Sequence, residues 1–515
     1  MLSKTSLKVI LFSSAAVIGI AVLVYFLFAK GRVPEYATII PEKTAFVARF
    51  DYFKMSGKVD FATVKEMGFY KDMKKQMQEQ DPKSYQLYME IEKDIAVTGI
   101  NVTQPLLAFA YKGDAGGVFC IAASVDNKDN LRKFSEKAGS KVGEQDGIFF
   151  IDEQEVMVWN DATVLYVKTE DGLTATAKGE GISILNGGKG RKLTEANDDF
   201  ASFLSNSGDI DLWLDYASMP ELLEQGMMTQ AAILPINIFA IQGTMHAHLN
   251  FEEGKITASS KIKLDENSQY LNDDMDKKIL DYVPGKNALL ALGGSVNMDK
   301  ILSDSTIKPQ LPMVADQFGL TEDEVKKLLQ GDMALSVYKM AVDTTAQNAV
   351  PLPGIALVLR SAAPDAVHKM LNGLIDQSGG AISKEKDYYK VAIPFISTMY
   401  LKQMGDYFVL TNDTRYLNLT EAPEKSGEVG DQLRTLAGKG SAFGAVYFEQ
   451  LRTFLKESQL TDDLDKSLGL MNQAYFTGNL TGGEGVLLFN NSKENGLMGM
   501  FRLLEESYQE QQAGN

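Results

Sequence analysis

Two stretches carry the same signals in the same order: Ile40-Pro41-Glu42-Lys43-Thr44-Ala45-Phe46-Val47 and Val283-Pro284-Gly285-Lys286-Asn287-Ala288-Leu289-Leu290. Each has an aliphatic residue, a proline that fixes a turn, a lysine, and then an apolar run, which predicts a turn feeding a strand. In the first copy the run continues to Asp51. Its alternation places Phe46, Ala48 and Phe50 on one face, as in a half-buried strand.

The correspondence spreads outward from these stretches. Gly331 to Tyr338 answers the strand ending at Tyr111. Gly354 to Leu359 and the helix expected over Pro364 to Ile375 answer Val118 to Val125 and the helix expected over Asp126 to Gly139. Tyr407 to Thr411 answers Val164 to Lys168, and 207–223 aligns without gaps on 439–455. A hairpin of Gly243 to Phe251 and Lys255 to Leu264 is answered by Gly485 to Phe489 and a strand at Leu497 to Leu503. The offset stays at roughly 225 to 245 residues and the order is kept. Further helices are expected over Phe61 to Gln80, Tyr85 to Asp94 and Glu195 to Ser205, with Gly172 to Lys192 as a surface loop.

Short strands in hairpins mixed with isolated helices predict an α+β fold with mainly antiparallel sheets and flanking helices. The repeat predicts two homologous tandem domains, 33–270 and 279–505, and a polar tail at 506–515. A stub and anchor occupy 1–32.

That anchor is Val9 to Phe28, VILFSSAAVIGIAVLVYFLF, which has no charge and no proline. At about 1.5 Å per residue it reaches roughly 30 Å, the hydrocarbon thickness of a bilayer. A cleaved signal peptide would end in a small-x-small site, whereas this run ends Phe26-Leu27-Phe28-Ala29-Lys30. A buried core helix would carry a polar face, and none is present. The reading is a retained single-pass transmembrane helix. Lys4 and Lys8 on one side nearly balance Lys30 and Arg32 on the other, and an N-in orientation is expected. That orientation places the chain in the inner membrane with its bulk in the periplasm.

Those four cations meet no acid in the first 32 residues, so the rest of the chain sets 47 basic side chains against 68 acidic ones, a net of −21. Such a surface repels phosphate backbones, which argues against nucleic-acid partners. The single cysteine, Cys120, lies in an apolar run and allows no internal disulfide.

The segments IPEKTAFVARFD, TGINVTQPLLAFAY and GDMALSVY together resemble those of the domain-of-unknown-function family 4836 of Bacteroidota envelope proteins. The resemblance covers most of the chain after the anchor. It implies an exported, membrane-attached protein with no catalytic residues to carry over. Many relatives look like lipoproteins, whereas this chain has a helix in place of a lipidated cysteine.

Motifs of chemistry are scarce. His246 and His248 fall two apart in an expected strand and so share a face, but no third metal ligand is near in sequence. His368 is expected to face solvent beside its helix's apolar stripe. Ser336 to Lys339 matches SxxK but lies in a strand, and Ser260 to Lys263 matches equally well. The glycine-rich 478–485 lacks the lysine and helix of a phosphate-binding loop. Methionine is in excess, at 22; Met67, Met73 and Met77 lie near helical spacing, and Met227-Met228 open an apolar stretch. Flexible thioethers suit either core filling or an adaptable groove. No catalytic, cofactor-binding or metal-binding residue is assigned, and no cofactor.

The function expected is a non-enzymatic binding or scaffold protein of the cell envelope, with an envelope protein as partner. The alternative is a carrier or sensor for a lipid or hydrophobic ligand in a groove lined by Met and Phe.

Overall fold

The computed structural model describes residues 35–513 apart from 115, 154, 189, 206–207, 223–241, 266–269, 286, 304–306, 341–352, 394–396, 416–427 and 459–464. The run Val9 to Phe28 lies outside these, and among the described residues no helix is long and apolar enough to cross a membrane. The fold is α+β, built on antiparallel sheets with flanking helices. The chain divides into two compact units, one running up to Ser260 and taking in Lys493–Asn515, the other Lys261–Ser492.

In the first unit the strands are β1 (Thr44–Phe50), β2 (Ile100–Asn101), β3 (Leu106–Gly113), β4 (Gly116–Val125), β5 (Gly143–Gln145), β6 (Ile148–Asp152), β7 (Val156–Trp159), β8 (Thr163–Thr169), β9 (Ile210–Asp215) and β10 (Gly243–Glu252). β11 (Lys255–Leu264) follows β10 across a turn. Antiparallel pairing sets the order β5-β6-β7-β8-β4-β3-β1-β9-β10, with the short β2 also on β4.

The second unit has β12 (Ala288–Ser295), β13 (Asp332–Lys339), β14 (Pro353–Arg360), β15 (Ile382–Lys384), β16 (Tyr389–Ile393), β17 (Ser397–Met404), β18 (Tyr407–Thr411), β19 (Ala442–Tyr447), β20 (Met471–Asn479) and β21 (Gly482–Phe489). Its order is β15-β16-β17-β18-β14-β13-β12-β19-β20-β21. Strand for strand, as far as β20, this is the order of the first unit. Even the irregularity in the first strand recurs, between Thr44 and Phe46 and between Ala288 and Leu290.

One face of each sheet carries the main core. In the first unit Val47, Phe109, Cys120, Leu165 and Trp213 pack under the helices Thr174–Leu185 and Asp198–Ser205. In the second, Ala291, Val358, Val409 and Phe443 pack against Ile279, Leu433 and Leu436. Helix ends follow the residue chemistry. Asn127 caps Lys128–Ala138 through its side chain, and Gly139, at φ 102°, closes it in the left-handed region that glycine tolerates.

Four features depart from the sequence reading. Phe46, Ala48 and Phe50 do share a face, but it is the half-exposed outer one, while Val47 and Arg49 point into the core. The stretch read as a loop at 172–192 contains the helix Thr174–Leu185. The expected strand at 497–503 and the polar tail are one helix, Gly496–Ala513. In the second unit β21 pairs instead with β20, which the sequence left unassigned.

Candidate functional site

The outward-pointing positions give both sheets an unusual property. Across the first unit, registers set Ala48 opposite Ala108 and Leu212, and Leu212 opposite Ala247. Phe46, Phe50, Ile121, Leu214, Met245 and Leu249 continue the same half-buried face. In the second unit Leu292, Leu335 and Leu357 stand side by side, and Phe476, 46% exposed, lies over Gly444, where a Cβ would sit 2.2 Å from its ring. An antiparallel sheet with one face in water ordinarily alternates apolar-in with polar-out. Here the middle of each outer face is apolar as well. Helices cover part of each outer face: Leu131 of Lys128–Ala138 packs on Ala123, Phe149 and Val164, and Val367 and Leu371 of Pro364–Gln377 pack on Tyr389 and Phe408.

Beneath the first unit's outer face, on the core side, lies a buried charge cluster. Arg49, 1% exposed, reaches Asp211 at 3.4 Å and Asp51 at 3.5 Å. Lys58 pairs with Asp209 at 2.6 Å, and His248 Nδ1 is 2.6 Å from Asp211. The Phe251 and Gly208 amides donate to Asp209 and Asp211. Burial pushes the Asp51 carboxyl up, opposed by the Lys54 amide and by Arg49. Each of these carboxylates has fixed partners, as a structural network requires. The corresponding positions of the second unit hold Gly293, Ser295, Ser441 and Phe443.

The remaining candidates fall into place individually. His246 and His248 share a face as expected, and both rings lie against Phe203, His246 edge-on at 6.3 Å between centroids and His248 stacked at 6.2 Å. Among the described residues no group of three His, Cys, Asp or Glu could hold a metal. His368 is not simply solvent-facing: it is half-buried, bridging the Tyr389 hydroxyl (3.0 Å) and Gln403 (2.5 Å). Ser336 is fully buried in β13 and donates to the Pro284 carbonyl, while Lys339 pairs with Glu457. Ser260 and Lys263 lie on β11. Residues 478–485 end β20, turn at 480–481 and begin β21. Cys120 is buried, and burial followed by the nearby Glu180 pushes its thiol up. Met67, Met73 and Met77 fill a small core with Val64, Tyr70 and Tyr88. The stretch from Met227 lies outside the described residues.

Two cavities have polar walls. One of about 660 Å³ in the second unit is lined by Asp274, Asp276, Asp299, Lys326, Asp332 and Arg360 among others. Arg360 bridges Asp332 at 3.1 Å and Asp276 at 3.3 Å, and the Tyr407 hydroxyl donates to Asp276 at 2.7 Å. Burial alone would raise the Asp276 carboxyl, but Tyr407, the Lys278 amide and Arg360 outweigh it and hold it low. The other, of about 410 Å³ in the first unit, is lined by Lys58, Asp60, Glu494 and Arg502. Neither is a groove lined by Met and Phe. The sequence showed the outer-face residues but not which face they occupy, because both phases of β1 are apolar enough to be read as the core.

An antiparallel α+β chain with apolar outer sheet faces defines the structural class. The chain belongs to the family described as a domain of unknown function (DUF4836), whose family model matches residues 36–421. No curated protein matches it. The solved structure titled "Structure of crystal form I of TP0453" is 10% identical, covering 49% of this chain and 84% of that one, with a TM-score of 0.28. That likeness is too slight to carry an argument.

Proposed function

We propose that the chain is a non-enzymatic binding protein of the cell envelope, held in the inner membrane by Val9 to Phe28 with its bulk in the periplasm. The observation that carries the binding reading is the pair of apolar outer sheet faces. Apolar surface of this kind marks sites that other molecules cover. The carboxylates of the buried Arg49 cluster are committed to fixed partners, which supports a structural role for that charge. The shared strand order and the shared irregularity in β1 and β12 support two homologous domains arisen by duplication.

The test is chemical crosslinking of the tagged protein in its native membrane, followed by mapping of what co-purifies. The expected result is an envelope protein crosslinked next to the outer-face strands. Recovery of a stoichiometric lipid and no protein overturns the scaffold reading in favour of a carrier. Recovery of the whole chain from the soluble fraction overturns the anchor.

A further inference from the structure

The same end of the two sheets is finished in opposite ways. In the first unit β2 pairs with Ser124 and Val125 at the end of β4, and Tyr52, Ile91, Ile95 and Val102 close that end as an apolar cluster. By register, Arg360 of the second unit stands where the first has Ser124, and Asp332 where it has Pro105. Here the end is left as the polar cavity of about 660 Å³. That volume lies within the range of small-molecule sites, about 300–1,000 Å³.

The floor of this cavity is largely committed. Arg360 is held by Asp332 and Asp276, and the Ser295 hydroxyl accepts from the Asn272 amide at 2.8 Å. Arg360 Nε is buried with no hydrogen-bond partner among the described residues, which leaves one donor over. The rim is not committed. Lys327 pairs with Asp323, but Asp299 and Lys326 are exposed and make no hydrogen bond or ion pair among the described residues. Asp274, also exposed, accepts only the Met275 amide. Two carboxylates and one ammonium are therefore open to a ligand. Among the described residues no three acids could hold a metal, so the complement is an extended cation and not a point ion. A purely anionic ligand would meet four aspartates against three cationic side chains in the wall. Leu329, 37% exposed, and the half-buried Met298 add an apolar part to that wall.

We propose that this cavity binds a free basic amino acid of the lysine or arginine class. Its two cationic groups go to Asp274 and Asp299, and its carboxylate to Lys326 and the spare Arg360 donor. Its methylenes lie on Leu329 and Met298. The site is independent of the anchor and of the outer sheet faces.

The test is isothermal titration calorimetry of the full chain in mild detergent with L-lysine, Nα-acetyl-L-lysine, L-alanine, L-glutamate and N-acetylglucosamine. The expected result is saturable binding of L-lysine and none of L-glutamate. Nα-acetyl-L-lysine and L-alanine, each lacking one ammonium, bind about tenfold more weakly. Asp299→Asn and Lys326→Ala each weaken L-lysine about tenfold, and a matching thermal unfolding curve for each variant establishes that it is folded. L-lysine that binds both variants as it binds the wild type sits elsewhere, which overturns the proposal. Absence of L-lysine binding, or L-glutamate bound as tightly, overturns it too. Nα-acetyl-L-lysine bound as tightly as L-lysine overturns the free amino acid in favour of a lysine within a peptide. N-acetylglucosamine bound in place of L-lysine overturns it in favour of a sugar.

Discussion

Arg49 and Gly293 occupy equivalent positions in the two sheets, opposite Asp211 and Phe443 respectively. One unit fills the space with a buried ion pair. The other fills it with a phenyl ring seated so closely over glycine that a Cβ there would lie 2.3 Å from the ring. Removing one member of a buried pair strands its partner's charge and costs about 3–5 kcal/mol, whereas apolar replacement of both is often neutral. Arg49→Gly should therefore destabilise the first unit by that amount, and adding Asp211→Phe should recover much of it. Denaturant unfolding followed by Trp213 fluorescence measures both. A double variant no better than the single one would contradict the equivalence. Asp276 gives a pH-dependent case. Its carboxyl is held below its ordinary value of 3.8, so its contribution is complete above that pH and is lost as pH falls below it. Asp276→Asn should cost about 1–3 kcal/mol at pH 7, and the gap from wild type should close below about pH 4. Urea melts at the two pH values check this.

The helix Thr174–Leu185 shows why one element escaped a reading of the sequence. Its two glycines at 179 and 181 look like loop signals. Gly181 has a packing reason to be glycine, since a Cβ there would meet Val158 Cγ2 at 2.6 Å and Val167 Cγ2 at 3.1 Å. Gly179 has open space around it. Gly181→Val should thus destabilise by about 1–3 kcal/mol through overpacking, while Gly179→Ala should stabilise by roughly 0.5–1 kcal/mol. Opposite shifts in the urea midpoint are the expected signature. Elsewhere local signals sufficed. The helix expected over Asp126 to Gly139 is present as Lys128–Ala138, and the turns after Pro41 and Pro284 lead into β1 and β12 as expected. What failed was long-range. A helix at 496–513 was read as a strand because Leu497 to Leu503 is simply apolar, and its partners, Phe69 and Tyr70, lie more than four hundred residues away. The outer faces were equally hidden, since which phase of an apolar strand faces the core is settled by the helices laid over it, not by the strand.

At the scale of the whole molecule, the last helix belongs with the first unit. Phe501 stacks on Phe69 at 6.4 Å, the Phe69 amide donates to Glu505 at 3.1 Å, and Met498 is buried among Val64, Met67 and Tyr88. Deleting 493–515 should destabilise the first unit and leave the second unchanged. Limited proteolysis would show this as earlier cleavage within 61–93 and unchanged fragments from 261–492. Equal protection of both regions in the truncated chain would contradict it. The same helix also orders events during synthesis. The ribosome delivers Met498 and Phe501 only after it has made everything from Lys261 to Ser492. At about 5–20 residues per second, that interval lasts roughly 10 to 50 seconds. For that time the apolar side chains around Tyr70 and Tyr88 stand without their final cover, so the half made first is the half finished last. A chaperone that shields emerging chains would meet its longest engagement there.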